Sequence, residues 1–238
     1  HYLNCLEHEA MLIAKKAAGN LTPVTQFHMG GGTPTFLNDQ ELLGLVQGLK
    51  MVFPFAANAE MSIEVDPRTV DEVRLLSLRG IGFNRISFGV QDFDPQVQKA
   101  VHREQGFESV DTLVKAARRF GFESINVDLI YGLPKQNPGS FAKTLDQLIS
   151  LSPDRVALYG YAHVPWMSRR QQMIPAEAMP TPQDRLHLFE VAQELFLAYG
   201  YQAIGIDHFA KPADGLAVAA RSGHLRRNFQ GYTDDSAP

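Results

Sequence analysis

"AEMSIEVDPRTVDEVRLLSLRGIGFNRISFGVQ", Ala59 to Gln91, carries the pattern on which the fold turns. Within it "AEMSIEVDP" reads as a strand stopped by Pro67, "TVDEVRLLSLRG" as a helix closed by Gly80, and "NRISFGVQ" as a second strand. The same rhythm extends both ways. Before it, "VTQFHMGGG" predicts a strand ending in glycines. "NDQELLGLVQGLKMVF" predicts a helix that Asn38 or Asp39 can cap, with Leu42, Leu45, Val46 and Leu49 as its apolar stripe. After it come the helix "SVDTLVKAARRFG", the strand "SINVDLIYGLP", the helix "SFAKTLDQLISL" and the strand "RVALYGYAHV". A long helix, "TPQDRLHLFEVAQELFLAYG", then leads to "YQAIGIDHFA", read as a last strand. Strands alternating with helices predict an α/β fold of parallel strands joined by right-handed crossovers.

The chain has 238 residues, within the range of a single α/β barrel. Its net charge of -4 gives no sign of a nucleic-acid partner, and no apolar run approaches the ~20 residues of a membrane span. The single cysteine, Cys5, rules out an internal disulfide and fits a reducing cytoplasm. "HYLNCLEHEAMLIAKKA" reads as a helix already in progress at His1, so the sequence is expected to be a piece of a longer protein. After Phe209 the text is richer in turns, which predicts a barrel over 1–209 and a connector over 210–238.

In parallel β/α folds ligands bind at the C-terminal ends of the strands. Those ends carry Gly30 to Thr33, Glu64 and Asp66, Gln91 and Asp92, Asp128 and Tyr131, Tyr161 and His163, and Asp207 and His208. Each alone has an ordinary explanation as a turn, a surface group or a satisfied histidine; the ensemble makes the site. The dinucleotide fingerprint is absent because Thr35 stands where its third glycine would be. There is no G-K-[ST], C-x-x-C or H-E-x-x-H. Three glycines let a ligand approach the main chain, and exposed carbonyls there suit an ammonium better than a phosphate. Glu64, on the next strand, would supply charge for the same cation. An α-amino acid's ammonium fits both features.

Taken together, "GGGTPTFL", "SIEVDP", "RISFGVQDF", "VHREQ", "DLIYGLPKQ", "YAHVP", "DHFA" and "RNFQGY" resemble, in order, the oxygen-independent coproporphyrinogen III oxidase family of radical S-adenosylmethionine (SAM) enzymes. The likeness runs from about residue 1 to Tyr232, and "EVDPR", "VHREQ", "DHFA" and "RNFQGY" favour this family over the related heme chaperones. The resemblance implies an incomplete (β/α)6 radical SAM barrel with parallel strands. It implies a 4Fe-4S cluster held by a C-x-x-x-C-x-x-C loop, and a reducing electron donor. SAM cleavage there yields a 5′-deoxyadenosyl radical that takes hydrogen from a propionate of coproporphyrinogen III. Loss of CO2 leaves a vinyl group, and two rounds give protoporphyrinogen IX in heme synthesis. The full-length family member is expected to be a cytoplasmic monomer.

Carried over by motif, Gly31, Gly32 and Thr33 line the SAM region and Glu64 holds SAM at the cluster. Gln91, Arg103, Asp128 and Ala162 match positions for a second SAM. The sequence departs from the family in having no cluster motif; Cys5 lies outside any such spacing, and "TDDSAP" differs from the expected continuation. The chain alone is therefore expected to be inactive and, lacking its first strand, prone to aggregate at an open edge. The alternative is a cluster-less protein that binds heme or a porphyrin. Arg226 and Arg227 are expected either to meet substrate propionates or a missing domain, or to form a solvated basic turn.

Overall fold

The computed structural model describes residues 1–17, 19–169, 171–228 and 231–234. Phe229 and Gln230 of "RNFQGY" and the last four residues of "TDDSAP" lie outside the described residues. Helix α1 (Tyr2–Lys16) precedes β1 (Val24–Met29), α2 (Asp39–Val52), β2 (Phe55–Val65), α3 (Glu72–Ile81) and β3 (Arg85–Gln91). Then come α4 (Pro95–Ala100), α5 (Phe107–Arg119), β4 (Ser124–Tyr131), α6 (Pro138–Leu151), β5 (Arg155–Gly160) and α7 (Pro182–Ala198). The chain continues through β6 (Gln202–Ile204), β7 (His208–Ala210), α8 (Gly215–Ser222) and a small ribbon, β8 (Arg226–Arg227) and β9 (Tyr232–Thr233).

Local signals account for the helices. Asn38 accepts from the Glu41 N–H while the Glu41 carboxylate accepts from the Asn38 N–H, a complete capping box that starts α2. Helix α3 ends one turn position later than the sequence suggests. Gly80 lies inside it, and Gly82, at φ +119, makes the left-handed cap.

The main sheet runs β1-β2-β3-β4-β5-β7-β6. Its first five strands are parallel, as the alternating pattern requires, and the barrel is not closed. The final element differs from expectation. "YQAIGIDHFA" is a hairpin: β7 pairs antiparallel with β5, and β6 antiparallel with β7. The cause is Gly205, at φ +61 in the left-handed region, which breaks the run in its middle. The ring of Tyr232 also occupies the space there, 2.0 Å from where a side chain would begin. Strand β5 stops at Gly160, short of the predicted Val164.

Each parallel strand has two unlike faces. Ile63 and Val65, Ile86 and Phe88, Val127 and Leu129, and Val156 and Leu158 are buried beneath the helices. There they meet Leu75, Leu113, Phe141, Leu145 and Phe196 in one core. Each such side chain contributes about 1.5–3 kcal/mol by leaving water. A parallel sheet covered on both faces would be apolar throughout; here the opposite face is polar, and it forms the wall of a cleft. Among the described residues no helix is long and apolar enough to cross a membrane.

Candidate functional site

The cleft on the polar face has a volume of about 730 Å³. Alternate residues of successive strands line it: Gln26, His28 and Gly30 of β1 and beyond; Glu60, Ser62 and Glu64 of β2; Arg85 and Ser87 of β3; Ser124, Asn126 and Asp128 of β4; Arg155 and Tyr159 of β5. Antiparallel β7 keeps the same alternation. His208 stands opposite Ala157 and faces the cleft, while Phe209 turns to the core against Phe196.

The lower end is neutralised by the protein itself. Arg155 Nε donates to both carboxylate oxygens of buried Asp214, at 2.6 and 2.7 Å, and Arg85 Nε pairs with Glu60 at 2.6 Å. Residues 231–234 lie across this end, where Gln26 Nε2 donates to Asp234 at 2.8 Å.

The upper end is different. Glu64 Oε1 lies 3.3 Å from His28 Nε2, and its Oε2 accepts from the Gly31 N–H at 3.1 Å. The His28 bond, aided by the Gly31 N–H, holds this carboxyl below its ordinary value against the opposing effect of burial. Asp128 accepts from Asn126 Nδ2 at 2.7 Å and from Ser87 Oγ at 3.2 Å. Burial nevertheless pushes its carboxyl up to about 6. Tyr159, also raised by burial, to about 12, remains a neutral phenol beside them. Two carboxylates therefore share the upper cleft, and no lysine or arginine among the described lining residues pairs with either. Such a site favours a cationic ligand.

The glycines answer a specific need. A Cβ on Gly30 would lie 2.6 Å from His28 Nε2 and 2.7 Å from the Glu64 carboxylate, so the close approach there is by the protein's own pair. Gly31 has φ +100, which turns its N–H toward Glu64. The backbone contact found is thus a donated N–H, where the sequence suggested exposed carbonyls.

Of the residues singled out by sequence, Gly30, Gly31, Glu64, Gln91, Asp128 and His208 converge on the cleft. Gly32 and Thr33 are exposed just beyond β1, and Thr33 precedes a short 3-10 turn at Pro34–Phe36. Gln91 has φ +72, where the β3–β4 register shifts. That twist sends Gln91 to the cleft and its neighbour Asp92 into the core. Asp92 accepts there from Thr144 Oγ1 and Gln136 Nε2, both at 2.6 Å, and is a structural residue, contrary to its reading as a strand-end ligand. Arg103 stands outside the cleft lining. It donates to Gly89 O at 2.8 Å and lies 3.4 Å from Asp66, with its Nε buried and unpartnered. Ala162 is exposed beyond β5, its carbonyl accepting from Gln171. Arg226 and Arg227 are exposed on β8, with Arg227 over the Tyr232 ring.

Sequence reasoning missed His28, Ser62, Ser87, Asn126 and Tyr159. The signal was present: "MSIEV", "RISFG" and "INVDL" alternate apolar and polar residues, which parallel strands buried on both faces do not do.

The description "Radical SAM superfamily" matches residues 7–148, more than half of the chain. The oxygen-independent coproporphyrinogen III oxidase of Paracoccus denitrificans is 56% identical over 215 residues, covering 90% of this chain and 48% of that protein. The protein of that name from Cereibacter sphaeroides is 48% identical over 237 residues, covering 100% of this chain and 52% of its own. Among solved structures, coproporphyrinogen III oxidase (HemN) from Escherichia coli, titled a radical SAM enzyme, superposes with a TM-score of 0.94. It is 48% identical, with 99% of this chain and 54% of that chain covered. The chain spans about half the length of the curated relatives it matches.

Proposed function

The chain belongs to the radical SAM superfamily, and from that premise we propose that its upper cleft binds SAM and serves the oxidative decarboxylation of coproporphyrinogen III to protoporphyrinogen IX. The observation that carries this reading is the pair of carboxylates, Glu64 and Asp128, with only neutral groups and His28 as partners. SAM offers both a sulfonium and an ammonium, and the ammonium suits Glu64, whose two oxygens are already oriented by His28 and the Gly31 N–H. In a complete enzyme SAM, once reduced by one electron and cleaved, would supply the radical that takes the propionate hydrogen before CO2 is lost. The substrate follows from the likeness to proteins named coproporphyrinogen III oxidase.

A second SAM is supported by Gln91 and Asp128 in the cleft and by Arg103 beside Gln91. The half-buried guanidinium of Arg103, with its Nε–H unmatched, suits a carboxylate. Ala162 would contribute exposed backbone to the second SAM, as Gly32 and Thr33 would to the first. An external reductant supplies electrons.

The residues of this chain do not fit a 4Fe-4S cluster. The sequence has one cysteine, exposed on α1 and away from the cleft, and among the described residues no group of His, Cys, Asp and Glu could hold a metal. The 238 residues alone are therefore assigned ligand binding rather than turnover. The second reading, a porphyrin-binding protein without radical chemistry, requires that the full-length protein also lack the cluster cysteines.

Calorimetric titration with SAM tests the leading assignment. Glu64→Ala is expected to weaken binding at least tenfold, about 1.4 kcal/mol. Unchanged affinity overturns the role of Glu64. Anaerobic incubation of the full-length protein with coproporphyrinogen III, SAM and a reductant, after iron and sulfide reconstitution, separates the two functions: vinyl formation supports the oxidase, and porphyrin binding without it supports the binder.

A further inference from the structure

His28 lines the cleft beside Glu64 and has no ligand contact assigned to it above. It stands directly across from Ser62 in the β1–β2 register, and Glu64 follows two residues on along the same face. Its Nδ1 lies 2.7 Å from Ser62 Oγ and its Nε2 3.3 Å from Glu64 Oε1. The hydroxyl has one proton to give. If it goes to Nδ1, the ring proton sits on Nε2. If it goes instead to the Phe27 carbonyl, 3.4 Å away, both ring nitrogens must carry hydrogen to meet their acceptors. In either case Nε2–H is donated to Glu64.

We infer that His28 is the positioning residue of the site: with Ser62 behind it, it holds Glu64 so that the carboxylate's remaining lone pairs face the ammonium of the bound ligand. The geometry supports this in three ways. Glu64 is partly exposed, with a side-chain accessibility of 42%, so a free side chain would sample several rotamers and lose them on binding. The Gly31 N–H fixes one oxygen only, and His28 fixes the other. Gly30 keeps the meeting point of the two side chains clear.

The inference rests on the SAM reading, and a double-mutant cycle read by calorimetry distinguishes the two. SAM is titrated into the wild-type chain, His28→Ala, Glu64→Ala and the double variant, with thermal melts as a check on folding. His28→Ala is expected to weaken binding about tenfold in the wild-type background and less than about twofold when Glu64 is already alanine. His28→Gln, whose amide can still donate, is expected to recover part of the loss. An equal loss in both backgrounds, or no loss in either, overturns the positioning role, because a packing role acts without Glu64. No binding by the wild-type chain overturns the SAM reading and this inference with it. Should His28→Ala fail to fold, Ser62→Ala carries the same cycle, since it leaves the ring in place but removes its anchor. Ser62→Ala is then expected to weaken binding when Glu64 is present and not when it is absent, and additive losses overturn the role.

Discussion

Replacing Gly30 by alanine adds one methyl group at the most crowded point of the site. The new carbon would lie 2.6 Å from His28 Nε2 and 2.7 Å from Glu64 Cδ and Oε1. An ordinary non-bonded separation is about 3.5 Å, so the overlap is roughly 0.9 Å against the imidazole nitrogen and roughly 0.8 Å against each carboxylate atom. In a sealed core such crowding costs about 1–3 kcal/mol. Here both side chains reach solvent, at 33% and 42% accessibility, so they swing outward instead of compressing. The change is then felt as loss of the His28–Glu64 and Gly31–Glu64 bonds, and hydrogen bonds to a charged group contribute about 1.5–3 kcal/mol. Gly30→Ala is therefore expected to weaken SAM about 10- to 100-fold by calorimetry. Its melting temperature should fall by no more than about 4 °C. Gly32→Ala is the control: no heavy atom lies within 4 Å of its added carbon, and it should melt as the wild type does. Wild-type SAM affinity in Gly30→Ala would refute the argument that this glycine exists to seat the His28–Glu64 pair.

Two further outcomes follow from groups away from that pair. Asp92→Ala leaves Thr144 Oγ1, Gln136 Nε2 and the Asp94 N–H without their acceptor in the core. The loss is expected to be about 3 kcal/mol or more, a fall in melting temperature of at least about 6 °C, and a shift below about 2 °C would contradict it. Asp128 governs a pH effect. Its carboxyl is raised from 3.8 to about 6, so the folded state holds the proton more tightly than the unfolded one. The folded state is then unpenalised below about pH 4, loses stability as pH rises from 4 to 6, and carries the full cost, about 3 kcal/mol, above 6. Other carboxylates act in the opposite sense, so the comparison is with Asp128→Asn. The melting temperature of the wild type relative to that variant should rise as pH is lowered from 7.5 to 5, and a flat difference would remove Asp128 as the cause.

Sequence alone determined the elements that depend on near neighbours. The capping box at Asn38 and Glu41, the apolar stripe through Leu42, Leu45 and Val46, and the strand–helix rhythm from Val24 to Gly160 are all short-range, and they suffice for a mostly parallel α/β sheet. Glu64 and Asp128 could be picked out because a carboxylate at a strand end among apolar residues needs a reason. Tertiary structure decided everything that depends on register. Ser62, Ser87 and Asn126 each look like ordinary polar residues until parallel pairing brings them to one wall with His28. Gln91 and Asp92 are adjacent in sequence, and only the left-handed backbone at Gln91 sends one to the cleft and the other to the core. The last strand became a hairpin because Gly205 must accept both a left-handed turn and the ring of Tyr232, a contact that spans 27 residues and has no local signature. Periodicity and caps are enforced by bonds within a few residues, whereas a binding wall is assembled by strands that meet only after the chain has folded.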